Sequence, residues 1–229
     1  MAHVDSVAAG EPGTKQGLAA MRVDYQTTGL AGSDLAETWH EQLAAWLEEA
    51  VVGGVVEPNA MVLATAGTDG RPSSRTVLCK GLDARGVAFY TNYTSAKSHD
   101  IRSTRYASAT FPWYALHRQV TVRGVVETIE PDEVLAYWSS RPRGAQLGAW
   151  ASAQSAVVRD RRVLDDALAA VTQRFEGEDE VPLPGHWGGW RIAPDQVEFW
   201  QGRADRMHDR LRFDINRLDR TWAVRRLAP

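Results

Sequence analysis

Three groups of basic and aromatic residues are spaced so that they could grip an anion or a flat ring. The first is Arg75 and Lys80 within Arg-Thr-Val-Leu-Cys-Lys, followed by Ser95, Lys97 and Ser98 at a helix start. Strand side chains alternate between faces, so Arg75, Val77 and Cys79 share one face, Lys80 takes the other, and two separate anions can be served. The helix start adds backbone N–H groups and a charge for a phosphate. The same cations also read as surface charge on half-exposed strands. In the second group, Tyr137 and Arg141 lie one helical turn apart, with Arg143 just beyond. A guanidinium suits paired phosphate oxygens, while cations at a helix end that merely complement its dipole are the alternative. The third runs from Glu198-Phe199-Trp200-Gln201-Gly202 to Arg206-Met207-His208-Asp209-Arg210. If extended, it puts Arg206, His208 and Arg210 on one side. His3, His40, His99, His117 and His186 read as structural or surface residues, and His208 alone stands in such a constellation.

The 229 residues are 44% apolar, enough for one sizeable core. The expected organisation is a mobile tail over residues 1–20 and a single domain over residues 21–229. Net charge is −3 and the basic residues are spread along the chain, so nucleic acid and anionic membrane are not expected partners. Cys79 is the single cysteine, which excludes an internal disulfide framework and paired-thiolate zinc and fits a reducing cytoplasm. No signal-peptide pattern, membrane span, metal-binding histidine pair, dinucleotide fingerprint or phosphate loop is read from the chain.

The elements that must position these groups follow from periodicity. Asp34 and Glu37 mark a helix start, with Leu35, Trp39, Leu43, Trp46, Leu47 and Ala50 on one face and Gly53-Gly54 as its end. Strands are expected at 60–66, 73–80, 86–92, 106–113 and 119–129, with a helix capped by Ser95 through about Arg105. Pro131 opens a helix that Arg141-Pro142 stops. A longer helix spans about 157–175, with Val163, Leu164, Ala167, Leu168, Val171 and Phe175 as its buried stripe. Four late strands lie near 190–192, 196–201, 210–213 and 222–226. Strands early and late with helices between them give an α+β fold, an antiparallel barrel with helices outside.

Taken in order, Asn59-Ala60-Met61-Val62, Arg75–Lys80, Phe89–Asn92, Phe111-Pro112-Trp113, Ser140–Arg143, Gln146–Trp150, Gln154-Ser155, Trp187-Gly188-Gly189, Val197–Gly202, Arg206–Arg210 and the terminal Arg226-Leu227-Ala228-Pro229 resemble the pyridoxamine 5'-phosphate oxidase family. The likeness runs from about residue 21 to the end. It implies an FMN-binding antiparallel split β-barrel, active as a homodimer with FMN between subunits. The implied reaction oxidises pyridoxamine or pyridoxine 5'-phosphate to pyridoxal 5'-phosphate with O2 as acceptor. By the same resemblance, FMN would be held by Arg75, Thr76, Val77, Leu78, Cys79, Lys80, Tyr90, Thr91, Lys97, Gln119, Gln154, Ser155, Trp200 and Arg210. Lys80, Tyr137 and Arg141 would hold the substrate phosphate. Arg206 and His208 would face its ring as the catalytic pair, and Arg22 and Tyr25 would close over it. Ala96 and Ala145 depart from the family pattern, standing where an arginine and a serine often add donors to phosphate. Another split-barrel flavin or deazaflavin reductase and a non-catalytic pyridoxal phosphate carrier are the rival readings.

Overall fold

In the computed structural model of the chain, the described residues are 15–21, 24, 25 and 27–229. The strands β1 (Ala60–Ala66), β2 (Pro72–Leu78), β3 (Gly81–Asp83), β4 (Gly86–Asn92), β5 (Tyr106–Trp113), β6 (Arg118–Thr128), β7 (Trp187–Gln201), β8 (Asp209–Ile215) and β9 (Trp222–Leu227) form one antiparallel sheet. Its order is β2-β1-β5-β6-β7-β4-β3, with β8 also on β7 and β9 outside β8. Around it lie α1 (Lys15–Ala20), α2 (Trp39–Val52), α3 (Ala96–Thr104), α4 (Pro131–Ser140), α5 (Arg143–Ala151) and α6 (Arg161–Arg174). The expectation of a tail to residue 20 thus meets a short helix over its last residues, and residues 1–14 lie outside the described ones.

Strand β7 divides the barrel. Residues 187–192 pair with β4 and residues 196–201 with β8, while β6 follows its other edge throughout. At the changeover the register between β6 and β7 slips at Arg123/Gly124, where a Cβ on Gly124 would lie 2.0 Å from the Ala193 carbonyl oxygen. Such a bulge bends the strand and increases its twist, and β2 and β4 come to face each other across an opening. The sequence pattern predicts two strands, near 190–192 and 196–201, interrupted around Pro194. Instead Pro194 sits opposite Gly124 at the bulge, a place where a ladder tolerates a residue without an N–H.

The inward face carries Met61, Leu63, Ala109, Phe111, Val120, Val122, Val197, Phe199, Leu211 and Phe213, all buried. Helix α2 packs on this face, with Trp46 edge-on to Phe199 at 5.3 Å. Burying Leu43 there contributes about 1.5–3 kcal/mol. The outward row Val62, Thr110, Thr121, Glu198 and Arg212 runs across five strands and is half-buried. A second core cluster, including Val134, Trp138, Leu147, Phe175 and Trp187, joins α4 and α5 to the β4/β7 side.

Three helix expectations are corrected. Helix α2 starts after Thr38, not at Asp34, which ends a 3-10 turn over Gly32–Asp34. The Thr38 hydroxyl accepts from Glu41 N while Glu41 accepts from Thr38 N, a reciprocal cap with the spacing of Asp34 and Glu37 but four residues later. Helix α6 begins at Arg161 because the Asp160 carboxylate caps Val163 N, and the preceding residues contain the unforeseen α5. Its stripe is not buried as expected: Val163, Leu164 and Leu168 are about 40% exposed, and the helix packs through Ala167, Val171 and the buried Phe175. Ser95 stands at the N-cap of α3 without the capping bond, because its hydroxyl donates to the Asn92 carbonyl instead.

Candidate functional site

At the opening, Arg75, Thr76, Val77, Leu78, Lys80, Tyr90, Thr91, Lys97, Tyr137, Arg141 and Gln154 line a cleft of about 400 Å³. Strand β2 pairs only with β1, so its other edge presents unpaired backbone donors and acceptors to this space. The alternation rule had sent Arg75 and Lys80 to opposite faces, yet both reach the cleft. The chain leaves β2 at Leu78, Cys79 N bonds Asn59 O, and Lys80 N then bonds Ala88 O beside β4. Crossing the opening cancels the strand parity. Cys79 itself turns inward, its thiol donating to Gly81 O, and burial pushes that thiol's pKa up.

Lys97 is the most informative of these residues. It is 8% exposed, and its ammonium donates to Gln154 Oε1 (2.7 Å), Thr91 Oγ1 (3.2 Å) and Ser95 Oγ (3.2 Å). All three are neutral oxygens, and among the described residues no carboxylate forms an ion pair with it. Burial, and then the neighbouring Arg75, bring its pKa down to about 8. A buried cation without a counter-charge is costly, and a bound anion would relieve that cost. Arg75 reaches in from opposite Leu63, donating to Thr65 Oγ1 at 2.7 Å, with Asp100 behind Thr65. Ser155 has a φ of +74° and accepts from Ala96 N at 3.2 Å, tying the 152–160 loop to the start of α3.

On the α4 side, the rings of Tyr90, Tyr137 and Trp187 lie nearly parallel, with Tyr90 and Tyr137 centroids 4.0 Å apart. The Arg141 guanidinium stands 4.6 Å from the Trp187 ring centre, donates to Ala145 O at 2.8 Å and has a buried Nε that finds no hydrogen-bond partner among the described residues. Burial lowers its pKa. Tyr137 and Arg141 therefore converge as expected, whereas Arg143 turns away to bond Phe175 O. Trp187 was not among the expected site residues. Its signal was the following Gly188-Gly189, where a Cβ would lie 2.3 Å from the Tyr93 hydroxyl and 2.9 Å from the Tyr90 ring.

The remaining expected residues gather elsewhere. Gln119, Trp200 and Arg210 lie side by side on β6, β7 and β8. Arg210 is gripped by Glu198 through two bonds of 2.8 and 3.1 Å, which raises its pKa. The His208 ring lies 4.7 Å from Trp200 and 5.9 Å from Tyr25. A second cleft of about 430 Å³ is lined by Met21, Asp24, Tyr25, Arg203, Asp205, Arg206 and His208, and among the described residues it shares none with the first. Arg206 and His208 are not in an extended run with Arg210. Arg206 ends a 3-10 turn in which it and Asp205 have φ of +61° and +53°, and Arg210 alone of the three is in a strand. Arg22 lies outside the described residues.

A curled antiparallel sheet opened along one side, with a cation-lined cleft at the opening, defines a split-barrel protein. Residues 47–175 match the family profile described as pyridoxamine 5'-phosphate oxidase, and residues 187–229 match the pyridoxine 5'-phosphate oxidase C-terminal dimerisation region. The chain belongs to the pyridoxamine 5'-phosphate oxidase family of oxidoreductases. It is 61% identical to pyridoxine/pyridoxamine 5'-phosphate oxidase of Saccharopolyspora erythraea over 213 residues, 93% of this chain and 95% of the relative. Identity to the protein of that name from Mycobacterium tuberculosis is 54%, covering 90% and 94%. Among solved structures, PhzG from Burkholderia lata, bound to tetrahydrophenazine-1-carboxylic acid, superposes with a TM-score of 0.81 at 32% identity, covering 88% of this chain and 98% of that one. An FMN-binding protein from Nostoc punctiforme shares the fold, with a TM-score of 0.66 at 20% identity over 85% of this chain and 99% of that one. Among the described residues no helix is long and apolar enough to cross a membrane.

Proposed function

We propose that the chain oxidises pyridoxamine and pyridoxine 5'-phosphate to pyridoxal 5'-phosphate with FMN as cofactor and O2 as final acceptor, in the cytoplasm. The observation that carries this reading is Lys97, a buried ammonium facing neutral oxygens in a cleft with Arg75 and the free edge of β2. That donor set fits FMN: a dianionic phosphate would supply the missing counter-charge, and the edge of β2 offers a flat heterocycle backbone donors and acceptors. Thr91, Gln154 and Ser155 surround the phosphate end.

Held there, FMN would supply a two-electron acceptor for the substrate's hydride, with O2 as the final oxidant and H2O2 as the co-product. Lys80, Tyr137 and Arg141 hold the phosphate of the substrate, an anion distinct from that of the cofactor. Arg206 and His208 orient the pyridine ring as hydrogen-bond donors, the proton leaving the amine or hydroxyl on the C4' carbon passes to water, and with the amine substrate water adds to the C4' imine and ammonia leaves. Among the described residues the two clefts of one protomer share none, and the half-buried outward face of β1, β5, β6 and β7 is suited to a second copy. We infer a homodimer in which Gln119, Trp200, Arg210, Arg206 and His208 of one subunit complete the cleft of the other, with Tyr25 closing over the substrate.

The test is purification followed by a visible spectrum, FMN quantitation and oxygen uptake on adding each vitamer phosphate. One FMN per chain with peroxide formed alongside pyridoxal 5'-phosphate is expected. A yellow protein inert toward both substrates would refute the reading in favour of another split-barrel flavoprotein. A colourless one that binds pyridoxal 5'-phosphate would make it a carrier.

A further inference from the structure

The turn that bears Arg206 and His208 is held from outside by one carboxylate. Asp209 Oδ2 accepts from Arg203 (3.2 Å) and from Leu30 N (3.0 Å), and Oδ1 accepts from Arg226. Arg226 also donates to Leu30 O at 2.9 Å. Asp209 thereby ties three distant parts of the chain together: the segment entering from the N-terminus, the turn after β7 and the last strand. Burial raises its pKa, but the bonds from Leu30 N, Arg226 and Arg203 together hold it below the usual carboxylate range. Gly29 is shaped around the same clasp: its φ is +86°, and a Cβ there would lie 2.1 Å from an Arg203 guanidinium nitrogen and 2.8 Å from Asp209 Oδ2.

What the clasp fixes is the imidazole. Arg203 N donates to His208 Nδ1 at 3.0 Å. An Nδ1 that accepts carries no proton, so in the neutral ring the proton sits on Nε2, the nitrogen left for another partner. Between Arg203 and His208 the backbone passes through two consecutive left-handed non-glycine residues, Asp205 and Arg206. Such conformations persist only where the surroundings over-determine them. The Arg203–Asp209 ion pair closes this loop from the far side.

We propose that Asp209 is a positioning residue for the oxidation, acting through Arg203 to set the tautomer and orientation of His208 and the left-handed turn that presents Arg206. This rests on the proposed function only in assuming that His208 and Arg206 face the substrate; the effect on the tautomer does not depend on it. The test compares wild type, Asp209→Asn and Arg203→Gln by ¹⁵N-detected imidazole spectra of His208, FMN content, and kcat and KM for pyridoxamine 5'-phosphate. Arg203→Gln keeps the Asp209 bonds to Leu30 and Arg226, so it reports even if the aspartate variant folds poorly. The expected result is a single Nε2–H tautomer in wild type and a mixture in both variants. FMN content should be unchanged, and kcat should fall by about tenfold or more, within the ~10²-fold that an ångström of misplacement costs, with KM within about threefold. An unchanged tautomer in both variants overturns the proposal, as does full kcat despite a mixed tautomer. A tautomer that shifts in a protein inert toward B6 phosphates keeps the clasp and removes the proposed reaction instead.

Discussion

Replacing Lys97 with methionine separates what a buried cation costs the fold from what it contributes to binding. Lys97 is 8% exposed and its pKa is brought from 10.5 to about 8. At about 1.4 kcal/mol per pH unit, that corresponds to about 3 kcal/mol in favour of the neutral amine in the folded, ligand-free state. Because the folded value lies below the unfolded one, the penalty is fully present below about pH 8. It shrinks between there and about 10.5, and is gone above that. Lys97→Met removes this penalty together with three hydrogen bonds to neutral oxygens, each of about 1 kcal/mol. The FMN-free variant should therefore melt at or above the wild-type temperature at pH 7. A charge-assisted bond to phosphate contributes about 1.5–3 kcal/mol, so FMN affinity should fall by about 10- to 150-fold. In wild type the protonated fraction of Lys97 drops from about nine-tenths at pH 7 to about one-tenth at pH 9. The phosphate remains dianionic over that range, so FMN affinity should fall about tenfold with rising pH in wild type and show no such slope in the variant. Thermal scans of FMN-free protein and fluorescence titrations with FMN at pH 7, 8 and 9 measure both. A melting temperature lowered by more than about 5 °C, roughly 2 kcal/mol at this chain length, would refute the reasoning. So would FMN affinity within about threefold of wild type.

Other consequences can be checked directly. Lys80→Ala or Arg141→Ala should raise KM for pyridoxamine 5'-phosphate by about 10- to 100-fold while kcat changes far less, since a remote phosphate is gripped alike in ground and transition states; steady-state kinetics would reveal a collapse of kcat instead. Thr38→Ala, which deletes the reciprocal cap of α2, should cost about 1 kcal/mol in urea unfolding without altering FMN content. Gly124→Ala forces a Cβ against the Ala193 carbonyl and should cost about 1–3 kcal/mol, read as a lower urea midpoint at unchanged slope.

Strands were legible wherever alternation and turn chemistry agreed. The bounds of β1, β4 and β5 match the expected ones, because Gly70, Gly86 and the Tyr114–His117 turn punctuate them; β1 and β5 alternate in burial, and β4 is a short run buried along nearly its whole length. Pro194 concealed that β7 is continuous, since its bulge partner Gly124 lies seventy residues nearer the N-terminus and is invisible to local reasoning. Helix α5 was missed because Arg-Gly-Ala-Gln-Leu-Gly-Ala-Trp-Ala contains two glycines and buries only Gln146 and Leu147. The stripe of α6 has helical periodicity, but periodicity alone does not say whether anything packs against the stripe. In the site, residue types identified the Arg75/Lys97 and Tyr137/Arg141 groups correctly as clusters. They could not foresee that the chain crosses the opening between Cys79 and Lys80, or that Arg206 leaves the strand. Both depend on backbone partners distant in sequence.

The double allegiance of β7 also sets a timetable for synthesis. Strand β4 is complete by residue 92, yet the partner it needs along one side begins at residue 187. At about 5–20 residues per second on the ribosome, the interval lasts on the order of ten seconds. During it the nascent chain carries Val87 and Phe89, both destined for full burial, beside an unzipped ladder edge. Once residues 187–201 emerge, a single stretch closes against β4 and β6, and β8 then adds to it, so the last fifth of the polypeptide acts as the zip-fastener for what precedes it. A nonsense codon near residue 180 would leave a product that is not merely shorter but unable to shut, and such a fragment belongs to the cell's holdases and proteases.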